Sequence, residues 1–65
     1  MSITQGYAAE KHYGKWVYSP ATKDEDGVFC HSGGSSWKMR TTGRFCLTLD
    51  EVEQFCKEMN EGLWL

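Results

Sequence analysis

The period of the hydrophobic pattern changes once along this chain, at Thr48, and that change limits what the chain can fold into. Beyond it, Val52, Phe55, Cys56 and Met59 recur at i, i+3, i+4 and i+7, the spacing of one face of a helix. Thr48 and Glu51 are spaced as a capping box, and Leu47 and Val52 fill the two positions of a hydrophobic staple. Gly62 stands where a left-handed C-terminal cap belongs. These signals predict a helix over about residues 49 to 60, and a single amphipathic helix cannot bury its own apolar stripe. The residues before it must supply the covering layer.

Upstream the period is two. KWVYS (15–19), GVFCHS (27–32) and SWKMRT (36–41) are short runs rich in aromatic and β-branched residues, separated by the turn segments PATKDEDG and SGGSS. In the third run Trp37 and Met39 alternate with Lys38 and Arg40, and Thr41, Gly43, Phe45 and Leu47 keep the parity. Residues 36–47 therefore read as one long strand, or as two bent at Thr42 and Gly43. Phe45 and Leu47 would continue an inward face under the helix, with Lys38, Arg40 and Arg44 on the face away from it. Residues 1–12 show no decisive period, so Ile3, Tyr7, Ala8 and Ala9 leave an edge strand, a short helix or a mobile arm open. The expected fold is α+β, a three- or four-stranded antiparallel sheet packed on one C-terminal helix, in a single domain over residues 1–65.

At this size folding buries only about 60% of the surface that the unfolded chain exposes. Trp16, Trp37, Phe29, Phe45 and Phe55 supply much area per residue for so small a core. No leader or long apolar run is visible, which points to a cytoplasmic protein with no membrane partner, monomeric or homodimeric. The three cysteines, Cys30, Cys46 and Cys56, include no CxxC pair and read as buried free thiols, with one bridge left open.

Chemistry-bearing patterns are weak. Cys30 and His31 are strand neighbours and point to opposite faces, so they make no catalytic pair. His12 and His31 lack zinc-site spacing relative to the cysteines. Asp24, Asp26 and Gly27 echo the start of a calcium loop whose twelfth position would be Ser35, where a bidentate glutamate is needed. SGGSS lacks the GK[ST] ending of a phosphate loop. Neither catalytic residues, nor a metal, nor a cofactor is expected. Trp64 and Leu65 would fold back on the core or pair with another chain.

The charges are polarised. The net charge of −2 comes from nine acids and seven bases, and eight of the nine acids fall into two segments: Asp24, Glu25 and Asp26, then Asp50, Glu51, Glu53, Glu58 and Glu61. Asp50, Glu51 and Glu53 suit the positive end of the helix dipole, but Glu58 and Glu61 lie near its negative end, where acids are mildly unfavourable. Their placement asks for another reason, and Asp50, Glu53, Glu58 and Glu61 together with Asp24, Glu25 and Asp26 are the candidate partner-binding residues. Between Gly27 and Leu49 the only charged residues are Lys38, Arg40 and Arg44. With Trp37 they form the alternative, a nucleic-acid-binding sheet face.

Two resemblances bear on these alternatives. GKW at 14–16, the strand SWKMRT, and the entry Phe45, Thr48, Glu51 resemble the arm-binding domain of tyrosine recombinases and the ethylene-response-type domain of plants. That resemblance implies DNA read by a three-stranded sheet, hence a small DNA-binding regulator. In size, fold economy and charge distribution the chain is similar to small phage-encoded proteins that disarm host defence, the anti-CRISPR class among them. This second resemblance implies a noncatalytic inhibitor in the host cytoplasm, a DNA mimic whose carboxylates block a basic nucleic-acid-binding groove of a nuclease complex. A sequence pI near 5.5 ranks the inhibitor first.

Overall fold

The computed structural model describes residues 2–62. The chain forms β1 (Thr4–His12), β2 (Lys15–Asp24), β3 (Gly27–Ser32), β4 (Ser35–Lys38), β5 (Arg44–Cys46) and α1 (Leu49–Asn60). The fold is the expected α+β arrangement of an antiparallel sheet and one C-terminal helix, but the sheet has five strands, in the order β4-β3-β2-β1-β5. Strands β1 to β4 make a meander, and β5 returns beside β1.

The added strand comes from the ambiguous N-terminal dozen. Residues 4–12 form an interior strand, paired with β2 from Thr4↔Lys23 to His12↔Lys15 and with β5 through Tyr7, Ala8 and Ala9. Its centre is Gly6, Ala8 and Ala9, residues with little β propensity. Packing selects them instead. A Cβ at Gly6 would meet the Cys46 carbonyl and come 2.7 Å from the Phe45 ring. The β1–β2 turn is a two-residue loop with positive φ at both Tyr13 (55°) and Gly14 (80°), the type I′ signature that matches the twist of a hairpin.

Both sheet faces carry an apolar cluster. On one, Ala9 and Cys46 pack with Val52 and Cys56 of α1, edged by Tyr7, Trp16 and Phe55. On the other, Ala8, Ala21, Val28 and Cys30 pack beneath Trp37, Met39 and Phe45. Trp37, Met39 and Phe45 thus share a face, as their parity predicts, but it is the face opposite the helix. Residues 36–47 are two strands at the two edges of the sheet, and residues 39–43 pass across the helix-free face between them. The Met39 amide bonds the Val28 carbonyl (2.8 Å), and a Cβ on Gly43 would come 2.8 Å from the Ala9 carbonyl oxygen. The chain then turns so that Cys46, not Phe45, faces the helix, and Leu47 is left 61% exposed.

The helix occupies its expected span. The Glu51 amide donates to the Thr48 hydroxyl (3.2 Å), and Gly62 (φ 78°) closes the C-terminus with its amide on the Met59 carbonyl. Trp16 meets Phe55 edge-on at 5.2 Å between ring centroids. The Asn60 side-chain amide clamps the Trp16 backbone, accepting from its N–H (2.8 Å) and donating to its C=O (3.0 Å). Packing area and a two-point hydrogen bond together fix how the helix lies on β2. All three cysteines are buried, with free thiols, and among the described residues no helix is long and apolar enough to cross a membrane. Trp64 and Leu65 lie outside the described residues.

Candidate functional site

Of the candidate acids, Glu25, Asp26, Asp50, Glu53 and Glu61 are exposed while Asp24 and Glu58 are half-buried, and α1 distributes the helical ones by angle. With Val52 and Cys56 against the sheet, a turn of 100° per residue directs Asp50, Gln54, Lys57 and Glu61 to solvent. Glu53 falls on the flank toward β2, where its Oε2 accepts from the Tyr18 hydroxyl at 2.9 Å. That hydrogen bond is the main reason the Tyr18 pKa is raised, with desolvation and the Glu53 charge adding to it. Glu51 and Glu58 fall on the other flank, toward β5, and Glu58 accepts from the Gln54 side chain at 2.7 Å.

This second flank borders a groove. A shallow depression of about 500 Å³ runs between α1 and β5, lined by Arg44, Cys46, Asp50, Glu51, Gln54, Phe55 and Glu58. Cys46 and Phe55 make its floor, three carboxylates stand on the helix wall, and the Arg44 guanidinium lies 5.2 Å from the Phe55 ring centroid. Asp24, Glu25 and Asp26 form the β2–β3 turn, tightened by the Asp26 amide on Asp24 Oδ1 (2.8 Å). Asp24 and Lys23 line a depression with Phe45 and Leu47, so the turn stands at the end of the sheet from which α1 starts.

The alternative residues are not brought together. Phe29 pairs with Lys38, and Ala9 with Arg44, which puts both bases on the helix side of the sheet and not on the expected far side. Trp37 and Arg40 belong to the opposite face, where both contact Glu10. Alternation along residues 36–47 would keep Lys38, Arg40 and Arg44 on one face with Trp37 opposite; the crossing between β4 and β5 instead leaves Arg40 on the Trp37 face, apart from Lys38 and Arg44.

Glu10 carried no signal in the sequence, and it is the buried charge among the described residues, 3% exposed. Its Oε1 accepts from Trp37 Nε1 (2.8 Å) and the Cys30 thiol (3.3 Å), and its Oε2 from the Arg40 amide (3.4 Å) with Arg40 Nε at 3.9 Å. Burial alone pushes its pKa up. The hydrogen bonds from Trp37, Cys30 and the Arg40 amide, with a smaller contribution from His12, outweigh burial and leave the pKa lowered. Burial, with the Glu10 hydrogen bond and charge adding to it, holds the Cys30 thiol up at about 11. Cys30 and His31 diverge as strand neighbours must: His31 Nδ1 lies 2.8 Å from Ser36 Oγ and its Nε2 3.0 Å from Thr22 Oγ1. Among the described residues no three His, Cys, Asp or Glu side chains converge as metal ligands.

Compared with protein-family models, with curated proteins and with solved structures, the chain matches none.

Proposed function

We propose that this is a noncatalytic binding protein that docks its acidic helix surface into a basic, nucleic-acid-binding groove of a protein and so blocks it. The observation that carries the reading is the division of labour among carboxylates. Glu10 is folded into the core with its hydrogen bonds satisfied, whereas Asp50, Glu51 and Glu61 stand exposed and have no ion-pair partner among the described residues. A cationic surface gains those carboxylates without breaking contacts the fold depends on. Charge complementarity of this kind speeds encounter and suppresses wrong partners. The host-defence nuclease complexes suggested by the class resemblance are the partners we put forward.

The test is a displacement assay on guide-loaded CRISPR effector complexes of each principal architecture. Labelled target duplex should be released from one of them as the protein is added, with release weakening as salt rises. An Asp50→Lys/Glu61→Lys variant of unchanged helix content should lose the effect. Duplex retained by every complex at saturating protein, or equal release by the variant, contradicts the proposal.

A further inference from the structure

The strand β5 is three residues long and ends the sheet: β1 lies on one side of it, and among the described residues no strand lies on the other. A free strand edge is a template for another strand. The Cys46 carbonyl is turned toward Gly6 of β1. Because backbone groups alternate in direction along a strand, the N–H and C=O of Phe45 then point to the open edge. That edge opens into the groove floored by Cys46 and Phe55 and walled by Asp50, Glu51 and Glu58. The Arg44 guanidinium covers the Phe55 ring, so the carboxylates of the helix wall are what the groove offers an incoming cation.

We infer that this edge and groove bind an extended basic segment of a protein partner by strand addition to β5, with alternate lysine or arginine side chains directed along the helix wall toward Glu51 and Glu58. The inference rests on the cationic partner proposed above and adds the conformation in which it is read. An extended chain offers backbone groups to Phe45 while placing every second side chain in the groove, which a helical segment does not. The carboxylate wall selects the sign of those side chains. From Asp50 to Glu58 the wall rises about 12 Å at 1.5 Å per residue. That length matches about four residues of strand at 3.3 Å each.

The experiment titrates the full chain at low salt with a heptapeptide of alternating arginine and threonine, followed by amide chemical shifts of residues 44–46. Two further peptides carry N-methyl groups on alternate amides, one in each register. The parent peptide should bind and shift those amides, and one of the N-methylated peptides should bind at least tenfold more weakly. A Glu51→Gln/Glu58→Gln variant with unchanged helix content should weaken the parent by a similar factor. If both N-methylated peptides bind like the parent, strand addition is overturned while the charge-based reading stands. If the glutamine variant binds unchanged, or the parent does not bind, the groove is not the site. Concentration-dependent dimerisation that protects the residue 45 amide would assign the edge to a second copy of the chain and also overturn the inference. Because Asp50 belongs to the groove wall, the displacement assay is repeated with Glu61→Lys alone, a residue outside the groove, so the two failures are read separately.

Discussion

The two faces of the sheet use carboxylates in opposite ways. On the helix-free face Glu10 sits in an apolar cluster, and its two oxygens take up the Trp37 indole, the Cys30 thiol and the Arg40 amide. On the helix side Asp50, Glu51, Glu53 and Glu61 are exposed, Glu53 accepts from the Tyr18 hydroxyl, and Glu58, half-buried, accepts from the Gln54 side chain. A buried carboxylate is retained when every lone pair is matched, and removing it strands its donors. An exposed one costs the fold little to keep or to lose. The face that needs its acid for folding and the face that displays acids to solvent are therefore separable by mutation.

The largest effect should come from Glu10. Glu10→Ala leaves the Trp37 and Arg40 donors without an acceptor and should destabilise the protein by about 2–3 kcal/mol, read as a lower urea midpoint at unchanged slope. Glu10 also gives the comparison a pH signature. Its folded pKa is lowered, so its stabilisation is fully present above the ordinary value of 4.5 and is lost as pH falls through the folded pKa. The stability difference between wild type and Glu10→Gln should be flat near neutrality and shrink on acidification below 4.5. A difference that grows on acidification would mean the carboxylate is not held ionised.

Smaller effects belong to the helix. Thr48→Ala removes the hydroxyl that caps the Glu51 amide and should cost about 1 kcal/mol. Asp50→Asn and Glu61→Gln, on the solvent face, should move stability by less than about 0.5 kcal/mol in either direction. Tyr18→Phe, which deletes one exposed hydrogen bond to Glu53, should shift the urea midpoint least. A large loss from Asp50→Asn would erase the contrast between the faces.

What the sequence made legible was the element with redundant signals. Thr48, Glu51, the Val52 to Met59 spacing and Gly62 each mark the same helix, so its span follows from local rules. The strands at 27–32 and 35–38 and the start of β2 were marked by alternation and turn residues, but residues 20–24, read as turn material because they open on Pro20 and are polar, complete β2, and the third run ends as a strand at Lys38. β1 was illegible because its central residues are small for a reason that appears only in three dimensions, the close approach of Phe45 and the Cys46 carbonyl to Gly6. The same gap hid Glu10, whose burial depends on the register of β1 against β2 and on Trp37 reaching over from β4. Parity in residues 36–47 found which side chains share a face, but not that the chain crosses the sheet between Lys38 and Arg44, so it put Trp37, Met39 and Phe45 under the wrong layer. The outward position of the helical acids was legible because it needs only the wheel. The groove was not, because its second wall is an edge strand whose neighbour could not be assigned in advance.

The most direct measurement pairs urea midpoint with duplex-displacement potency on the same samples of wild type, Glu10→Gln and Asp50→Lys/Glu61→Lys. The separation of the two faces predicts that Glu10→Gln loses stability but keeps its potency per folded molecule, while the lysine variant keeps its midpoint and loses potency. Potency that falls with stability in Glu10→Gln, and survives in the lysine variant, would contradict it.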